Sequence, residues 1–494
     1  MNPKQVLELA AEQGLALTFD DVRLRTGHSE IMPDKVNLAS KFSRNISLNI
    51  PITSAAMDTV TEYRLAVELA KLGGLGVIHR GLTIEEQASQ VAKVKYHLNG
   101  LIDKPICVNE DETVSSILLK IERKNYNFHS FPVLNSGGKL AGLITGRDFE
   151  FCDDLSLKAK DIMTSNIISA PTGTTFEQAY SLMKREKKRI LPLVTGTGEI
   201  SGMYIFSDLK RIKSGCYDLY NVDNKGQLRV AAAIGTGPEA LERVSRLREK
   251  NIDVVVIDTA HGDSKDVFDT LKEIKRNYSL EVVVGNVSMG ESAKRLADVG
   301  ADGIKVGQGP GSICTTRIIA GVGRPQVSAV YDCARAVNSE IPVCADGGLR
   351  NSGDIVIAIA AGANSVMLGS MLAGTDESPG EIVFFEGRQW KDYRGMGSLG
   401  ALKSSKASRS RYRQLDETKL VPEGVEGLVP YKGKLGNIII QYIGGLRAGM
   451  GYVGAASIQE LRDKGQFDRF TSSGVSESHP HTIRITKDAP NYKP

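Results

Sequence analysis

The chain reads as an α/β protein, a (β/α)8 TIM barrel carrying one inserted tandem domain, and three observations lead there. Short runs that are apolar nearly throughout alternate with stretches of helical spacing, the pattern of a parallel sheet covered by helices. Two such strands precede a long interruption and six follow it, and eight βα units favour a closed barrel over an open sheet. The interruption contains an internal repeat of its own, which marks a separate folding unit.

After a short N-terminal arm, Ile50 to Ser54 is the first expected strand, followed by the small-residue stretch Ala55 to Asp58 and a helical run from Glu62 to Leu72. Gly74 to His79 is the second strand, and Ile84 to Val94 its helix. From Arg229 the alternation resumes, with strands expected at Val230 to Ile234, Val254 to Asp258, Val282 to Gly285, Gly303 to Val306, Pro342 to Ala345 and Val366 to Gly369. Helical spacing shows between them in Leu241, Val244 and Leu247, in Val267, Leu271 and Ile274, and in Ala293 and Leu296. Barrel sites lie at the C-terminal ends of the strands. The residues expected there are Met57, His79, Asp258, Asn286, the loop after the sixth strand, Asp346 and Gly369-Ser370. That set is polar and glycine-rich where a core would be aliphatic. Phosphate commonly binds after the seventh and eighth strands, where Gly347-Gly348 and Gly369-Ser370 fall, so a phosphorylated ligand is expected. Glycines serving only the turns are the plainer alternative.

The loop after the sixth strand, Lys305 to Arg317, reads KVGQGPGSICTTR. Gly307, Gly309 and Gly311 open conformations closed to residues with a Cβ, so backbone amides and carbonyls can turn toward a ligand or ion. Cys314 at its end is the candidate nucleophile; a structural cysteine beside a tight turn is the competing reading.

A hydrophobic content of 41% and a charged content of 24% describe an ordinary globular protein, and a net charge of +4 announces neither a nucleic-acid nor a membrane surface. The six cysteines, Cys107, Cys152, Cys216, Cys314, Cys333 and Cys344, show no C-x-x-C spacing, which argues against a disulfide framework or a zinc site and for a reducing compartment. The N-terminus lacks a long apolar run, so neither a signal peptide nor a membrane span is expected, and the cytoplasm is the expected location.

Within the interruption, about Tyr96 to Ser214, Pro132, Gly138, Gly142 and Asp148 recur as Pro192, Gly198, Gly202 and Asp208, each pair 60 positions apart. Each copy ends in an apolar strand and a polar turn, Gly142 to Asp148 and Gly202 to Asp208. This resembles a cystathionine β-synthase (CBS) domain pair, which implies a regulatory purine nucleotide held through Asp148 and Asp208. Both aspartates acting as helix caps is the alternative.

Five longer motifs, SAAMDTVTE at Ser54 to Glu62, GPGSICTTR at Gly309 to Arg317, ADGG at Ala345 to Gly348, MLGSMLAGTDESPGE at Met367 to Glu381 and YRGMGS at Tyr393 to Ser398, resemble those of the inosine-5′-monophosphate (IMP) dehydrogenase family over nearly the whole chain. The resemblance implies a catalytic barrel in residues 1–95 and 215–494, a CBS pair in 96–214, and a mobile flap at about 388–430. It implies that Cys314 attacks C2 of IMP, that hydride passes to NAD, and that water hydrolyses the resulting thioimidate to xanthosine monophosphate. A thiolate suits an electron-poor heterocyclic carbon. Thr316, Arg411 and Tyr412 take the family's positions around the water. Substrate contacts map onto Met57, Ser312, Asp346, Gly348, Gly369, Ser370, Tyr393, Gly395, Met396, Gly397 and Glu423, with Asp346 suited to accept from both ribose hydroxyls. The NAD contacts map onto Asp258, Gly307 and Gly309; without the resemblance Asp258 reads as a helix cap. A potassium site is implied at carbonyls of Gly309, Gly311 and Cys314, completed by Glu477, Ser478 and His479 of a neighbouring subunit in a homotetramer, with stacking into an octamer left open.

The segment from about Lys403 to Pro430 is long, polar and poorly periodic, as expected of a functional or disordered loop. An arginine base within it is unexpected, because free guanidinium hardly deprotonates; desolvation under a closed flap would be required. Two other readings stay open: a GMP reductase, which shares the barrel and cysteine loop but has no use for the Arg411-Tyr412 pair, and a non-catalytic nucleotide sensor. Gln308 and Asp263 depart from the family pattern without removing a reacting group, and Gln308 bears on the ion and NAD sites.

Overall fold

The computed structural model describes residues 4–97, 101–102, 105–124, 126, 128–213, 219–338, 340–414, 419–487 and 489–492; Cys216 lies outside them. The chain separates into two compact units, one of Met1–His97, Leu219–Asp223 and Leu228–Pro494, the other of Leu98–Asp218 and Asn224–Gln227.

In the larger unit eight strands run parallel: β1 (Ile52–Ser54), β2 (Gly76–Ile78), β3 (Val230–Ile234), β4 (Val254–Asp258), β5 (Glu281–Val287), β6 (Gly303–Val306), β7 (Val343–Asp346) and β8 (Ser365–Leu368). Neighbours in the chain are neighbours in the sheet, β8 pairs with β1, and a parallel bridge from Thr53 to Leu75, just before β2, closes the ring. This is the (β/α)8 barrel. Val77, Ala231, Ala233, Val254, Val256, Val283, Cys344 and Met367 fill it, with Phe42, Ile46 and Leu48 packed against them. The alternation of small and branched side chains lets facing layers interdigitate.

The last barrel helix, Leu435–Val453, follows an excursion after β8 and packs on helix Ser352–Ala360. Its glycines explain the fit: a Cβ on Gly445 would stand 2.2 Å from Ser352 Oγ, and one on Gly449 2.7 Å from a Val356 methyl. The excursion itself differs from the expected unstructured loop. β9 (Ile382–Phe385), β10 (Arg388–Arg394) and β11 (Glu426–Pro430) form an antiparallel sheet, and helices Leu399–Ser404 and Lys406–Arg411 lie between β10 and β11. Lys391 is buried and donates to the carbonyls of Thr375 and Ser378 at 2.8 and 2.6 Å, which fixes the base of the sheet.

In the smaller unit the 60-residue repeat is also a repeat of register. Phe131 pairs with Ile144, Pro132 with Leu143 and Val133 with Gly142; in the second copy Leu191 pairs with Tyr204, Pro192 with Met203 and Leu193 with Gly202. Both hairpins carry a register shift at the same place, Val133/Leu134 and Leu193/Val194. The two meet at Lys139 and Glu199, which bridge antiparallel.

Candidate active site

The C-terminal ends of the strands and the excursion enclose a cavity of about 910 Å³, lined by residues that include Met57, Asp258, Asn286, Lys305, Gly307, Gly309, Gly311, Cys314, Thr316, Asp346, Tyr393, Gly395, Met396, Gly397, Arg411, Tyr412 and Glu423. At its floor Lys305, in β6, is only 2% exposed. Its Nζ lies 2.9 Å from Asp258 Oδ1 at the end of β4 and 2.5 Å from Asp346 Oδ2 at the end of β7, and it also donates to Asn286 Oδ1. Asn286 in turn donates from Nδ2 to the Gly307 carbonyl at 2.7 Å and to Asp346 at 2.9 Å. One ammonium thus holds two carboxylates from strands that are not neighbours, β4 and β7. The sequence showed this lysine only as one polar letter in an apolar strand; its burial on both faces of a parallel sheet was the available signal.

The glycine loop is braced on two sides. Arg317 donates from Nε to the Gln308 carbonyl at 3.1 Å and also to the Arg324 carbonyl, and its side chain packs where Cβ atoms on Gly309 and Gly323 would stand. From the excursion, Cys314 bridges Gly424, with Thr315 N donating to the Glu423 carbonyl at 2.9 Å and Val425 N to that of Ile313 at 3.0 Å. Gly307 has φ 151° and no room for a side chain, since a Cβ would stand 2.1 Å from the Asp346 carbonyl. Cys314 Sγ lies 3.2 Å from Thr316 Oγ1. Cys333 and Cys344 are buried, and burial pushes their thiols up, Cys344 to about 12; Cys314 is the half-buried cysteine that opens on the cavity.

Helix Lys406–Arg411 carries Arg411 onto Asp258, with which its Nη1 pairs. Tyr412 packs its ring on Gly397, where a Cβ would stand 2.6 Å from the ring, and burial pushes the phenol pKa up. Glu423 N donates to the Gly397 carbonyl at 3.0 Å and Gly395 N to that of Val425 at 3.0 Å, tying Gly395, Met396 and Gly397 to the segment from Glu423 to Val425.

Tyr393 gathers the phosphate-site candidates. Its hydroxyl lies 3.9 Å from Met57 Sδ and bonds with Ser312 and the Ser370 backbone, while burial pushes its pKa up to about 12. A Cβ on Gly369 would stand 2.9 Å from that hydroxyl. Gly348, at φ 81°, abuts Pro310 of the cysteine loop. Gln308 is held by Ser288 Oγ at 2.6 Å and reaches His261 Nδ1 at 3.1 Å, so it is part of the wall. Asp263 accepts from Ser292 at 2.7 Å and from Arg295 Nε at 3.2 Å, and the arginine holds its carboxyl below the usual range.

Other expected residues stand apart. Glu477 ends the exposed helix Ser472–Glu477, His479 Nδ1 lies 2.9 Å from Tyr492 Oη, and among the described residues no hydrogen bond joins Glu477, Ser478 or His479 to the cysteine loop. In the smaller unit Asp148 accepts from Thr145 N and Oγ1 at 2.7 and 2.8 Å, a helix cap, and Asp208 accepts from Ser207 Oγ at 3.3 Å. No cluster of three or more His, Cys, Asp or Glu able to hold a metal, and no helix long and apolar enough to cross a membrane, occurs among the described residues.

A closed parallel barrel with a cysteine loop, paired carboxylates and a polar cavity at the strand C-termini is the architecture of a (β/α)8-barrel enzyme. The family model described as IMP dehydrogenase / GMP reductase domain matches residues 16–481, and the chain belongs to that family. It is 49% identical to inosine-5′-monophosphate dehydrogenase of Aquifex aeolicus, covering 96% of this chain and 97% of the relative. It is 46% identical to the enzyme of that name from Helicobacter pylori, covering 97% and 98%. Among solved structures, GMP reductase of Trypanosoma brucei with guanosine 5′-monophosphate superposes with a TM-score of 0.86 at 39% identity, covering 95% of this chain and 98% of that one.

Proposed function

We propose that the protein oxidises IMP to xanthosine 5′-monophosphate with NAD, a reaction of guanine nucleotide synthesis, through a covalent adduct on Cys314. One observation carries the reading: Cys314 Sγ, beside Thr316 Oγ1 at 3.2 Å, shares a single cavity with Asp346, Arg411 and Tyr412. The Cys314 thiolate adds to C2 of the base, hydride leaves C2, and the thioimidate that remains is hydrolysed. NAD supplies the hydride acceptor; Asp258 suits its ribose, and Gly307 and Gly309 leave the loop backbone open toward it. Arg411 occupies Asp258 here, so flap closure and nicotinamide binding exclude each other, and closure follows departure of the reduced dinucleotide. Arg411 then takes the proton of the attacking water, with Thr316 and Tyr412 orienting it.

Asp346 accepts from the substrate ribose, Ser312, Gly348, Gly369, Ser370 and Tyr393 surround its phosphate, and Met57, Gly395, Met396, Gly397 and Glu423 border the base. Carbonyls of Gly309, Gly311 and Cys314 suit potassium, a weakly charged hard ion, with Glu477, Ser478 and His479 donated by a neighbouring copy in a homotetramer or octamer. The smaller unit is a CBS pair that takes a purine nucleotide near Asp148 and Asp208, and the enzyme works in the cytoplasm. The likeness to a GMP reductase structure keeps reductive deamination of GMP as the second reading.

The test follows absorbance of reduced nicotinamide with IMP plus NAD and, separately, with GMP plus NADPH, each in potassium and in sodium. Formation in the first mixture only, faster in potassium and absent in Cys314→Ala, is expected. Consumption in the second mixture instead, or persistent turnover of the variant, would overturn the proposal.

A further inference from the structure

One ion pair beside this site has no part in the chemistry so far. Asp58 lies in the turn that follows β1, and Arg394 ends β10. Arg394 donates to Asp58 Oδ2 from Nε at 3.0 Å and from Nη2 at 2.6 Å, and the two side chains are 32% and 15% exposed. Asp58 Oδ1 is buried and has no hydrogen-bond partner among the described residues, so the carboxylate depends on this arginine. A longer bond, Arg394 N to Thr59 Oγ1 at 3.4 Å, runs alongside.

The residue just before each partner belongs to the substrate site. Met57 precedes Asp58 and Tyr393 precedes Arg394. A Cβ on Gly369, after β8, would stand 2.9 Å from Tyr393 Oη and 3.5 Å from Met57 Sδ, and those two atoms lie 3.9 Å apart. Two elements far apart in the chain thus converge on one glycine. Each is firm within itself. In the turn, Thr61 Oγ1 donates to the Ala55 carbonyl at 2.6 Å, and Val60 N and Thr61 N donate to that of Met57 at 2.9 and 3.0 Å. In the sheet, Tyr393 is paired with Gly427 of β11. At the cavity end of β10, the bonds from Arg394 to Asp58 and Thr59 tie the one to the other.

We infer that Asp58 and Arg394 are positioning residues for substrate binding, an ion-paired brace that sets the spacing between Met57 and Tyr393. The inference rests on the reading of this site as the IMP site, with Met57 at the base and Tyr393 at the phosphate. Neither Asp58 nor Arg394 touches the substrate; each acts through the residue before it. An arginine suits the task because its rigid planar fork sets orientation as well as distance, which the point charge of a lysine does not. A fixed spacing matters only to a ligand that engages both ends at once, since the second contact is then made without further ordering. Inosine, which has the base and ribose but no phosphate, gains nothing from it.

The experiment uses the full-length enzyme and measures kcat, KM for IMP, KM for NAD and the inhibition constant of inosine against IMP. In Arg394→Met, KM for IMP should rise about tenfold, while kcat, KM for NAD and the inosine constant stay within about twofold of the parent. Arg394→Lys, which keeps the charge, should bring KM for IMP back to within about threefold of the parent. Asp58→Asn should raise KM for IMP as Arg394→Met does, and the double variant no further, because the brace is lost only once. Strictly additive effects in the double variant, or a KM for NAD or inosine constant that rises in step with KM for IMP, would overturn the inference. The parent keeps the two readings apart. Inosine held by it as tightly as IMP would remove the phosphate reading itself, whereas weak inosine binding together with an unmoved KM for IMP in Arg394→Met would remove only the brace.

Discussion

Replacing Lys305 by methionine removes the ammonium while nearly keeping the side-chain volume, so the loss is electrostatic rather than a cavity. The structure sets its size. Lys305 Nζ stands 2.9 Å from Asp258 and 2.5 Å from Asp346, and all three side chains are well shielded, at 2%, 6% and 17% exposure. Breaking a buried ion pair by deleting one partner costs about 3–5 kcal/mol, because the partner's charge stays behind. Asp346 loses its cation here while Asp258 keeps its pair with Arg411, so the lower part of that range is expected as a loss of unfolding free energy in urea, followed by circular dichroism. Adding Asp346→Asn to Lys305→Met removes one stranded charge and should restore at least about 1 kcal/mol, although Asp346→Asn alone destabilises. Equal stability of Lys305→Met and the parent, or strictly additive losses in the double variant, would refute the placing of Lys305 as the shared counter-ion.

Gly397→Ala puts a methyl group 2.6 Å from the Tyr412 ring, so the closed flap should lose about 1–3 kcal/mol; stopped-flow should show the steady rate falling by more than the NADH burst does. Gly449→Leu collides with Val356 and should lower stability by about 1–3 kcal/mol, read by denaturant midpoint, with KM for IMP unchanged. Arg295 holds the Asp263 carboxyl below its usual 3.8, so the stability that this pair contributes is fully present above that pH and lost as pH falls through the lower folded value. Acid unfolding monitored below about pH 4 should therefore be less steep in Arg295→Gln than in the parent.

The barrel strands were legible because strands buried on both faces leave an unbroken apolar record, and they lie within two residues of expectation at most ends. Helix Leu435–Val453 was not, since glycines at 436, 444, 445, 449 and 451 oppose helix on propensity alone. Two of them serve instead to bring a neighbouring helix close, a requirement that exists only in three dimensions. In the site, Cys314 and Thr316 are two positions apart and could be read together, whereas Arg411 and Asp258 meet across 153 positions. Without the family resemblance, nothing local would have joined them. Lys305 does not stand out in the sequence because a single cation carries no periodicity, and its meaning lies in how little solvent reaches it.

The bridge between Lys139 and Glu199 joins residues that occupy the same place in the two copies of the repeat. Two equivalent positions that face each other across an antiparallel bridge lie on a local twofold axis, so each copy presents the same hairpin turn to its twin. A single copy thus holds both halves of its own interface and is, in shape, a protomer of a symmetric dimer whose linker has been made covalent. The linker raises the effective concentration of one half for the other. The same likeness of register carries a folding hazard, because strand Phe131–Leu134 offers the partner Ile200–Ile205 a pairing much like the one it makes with Leu140–Ile144.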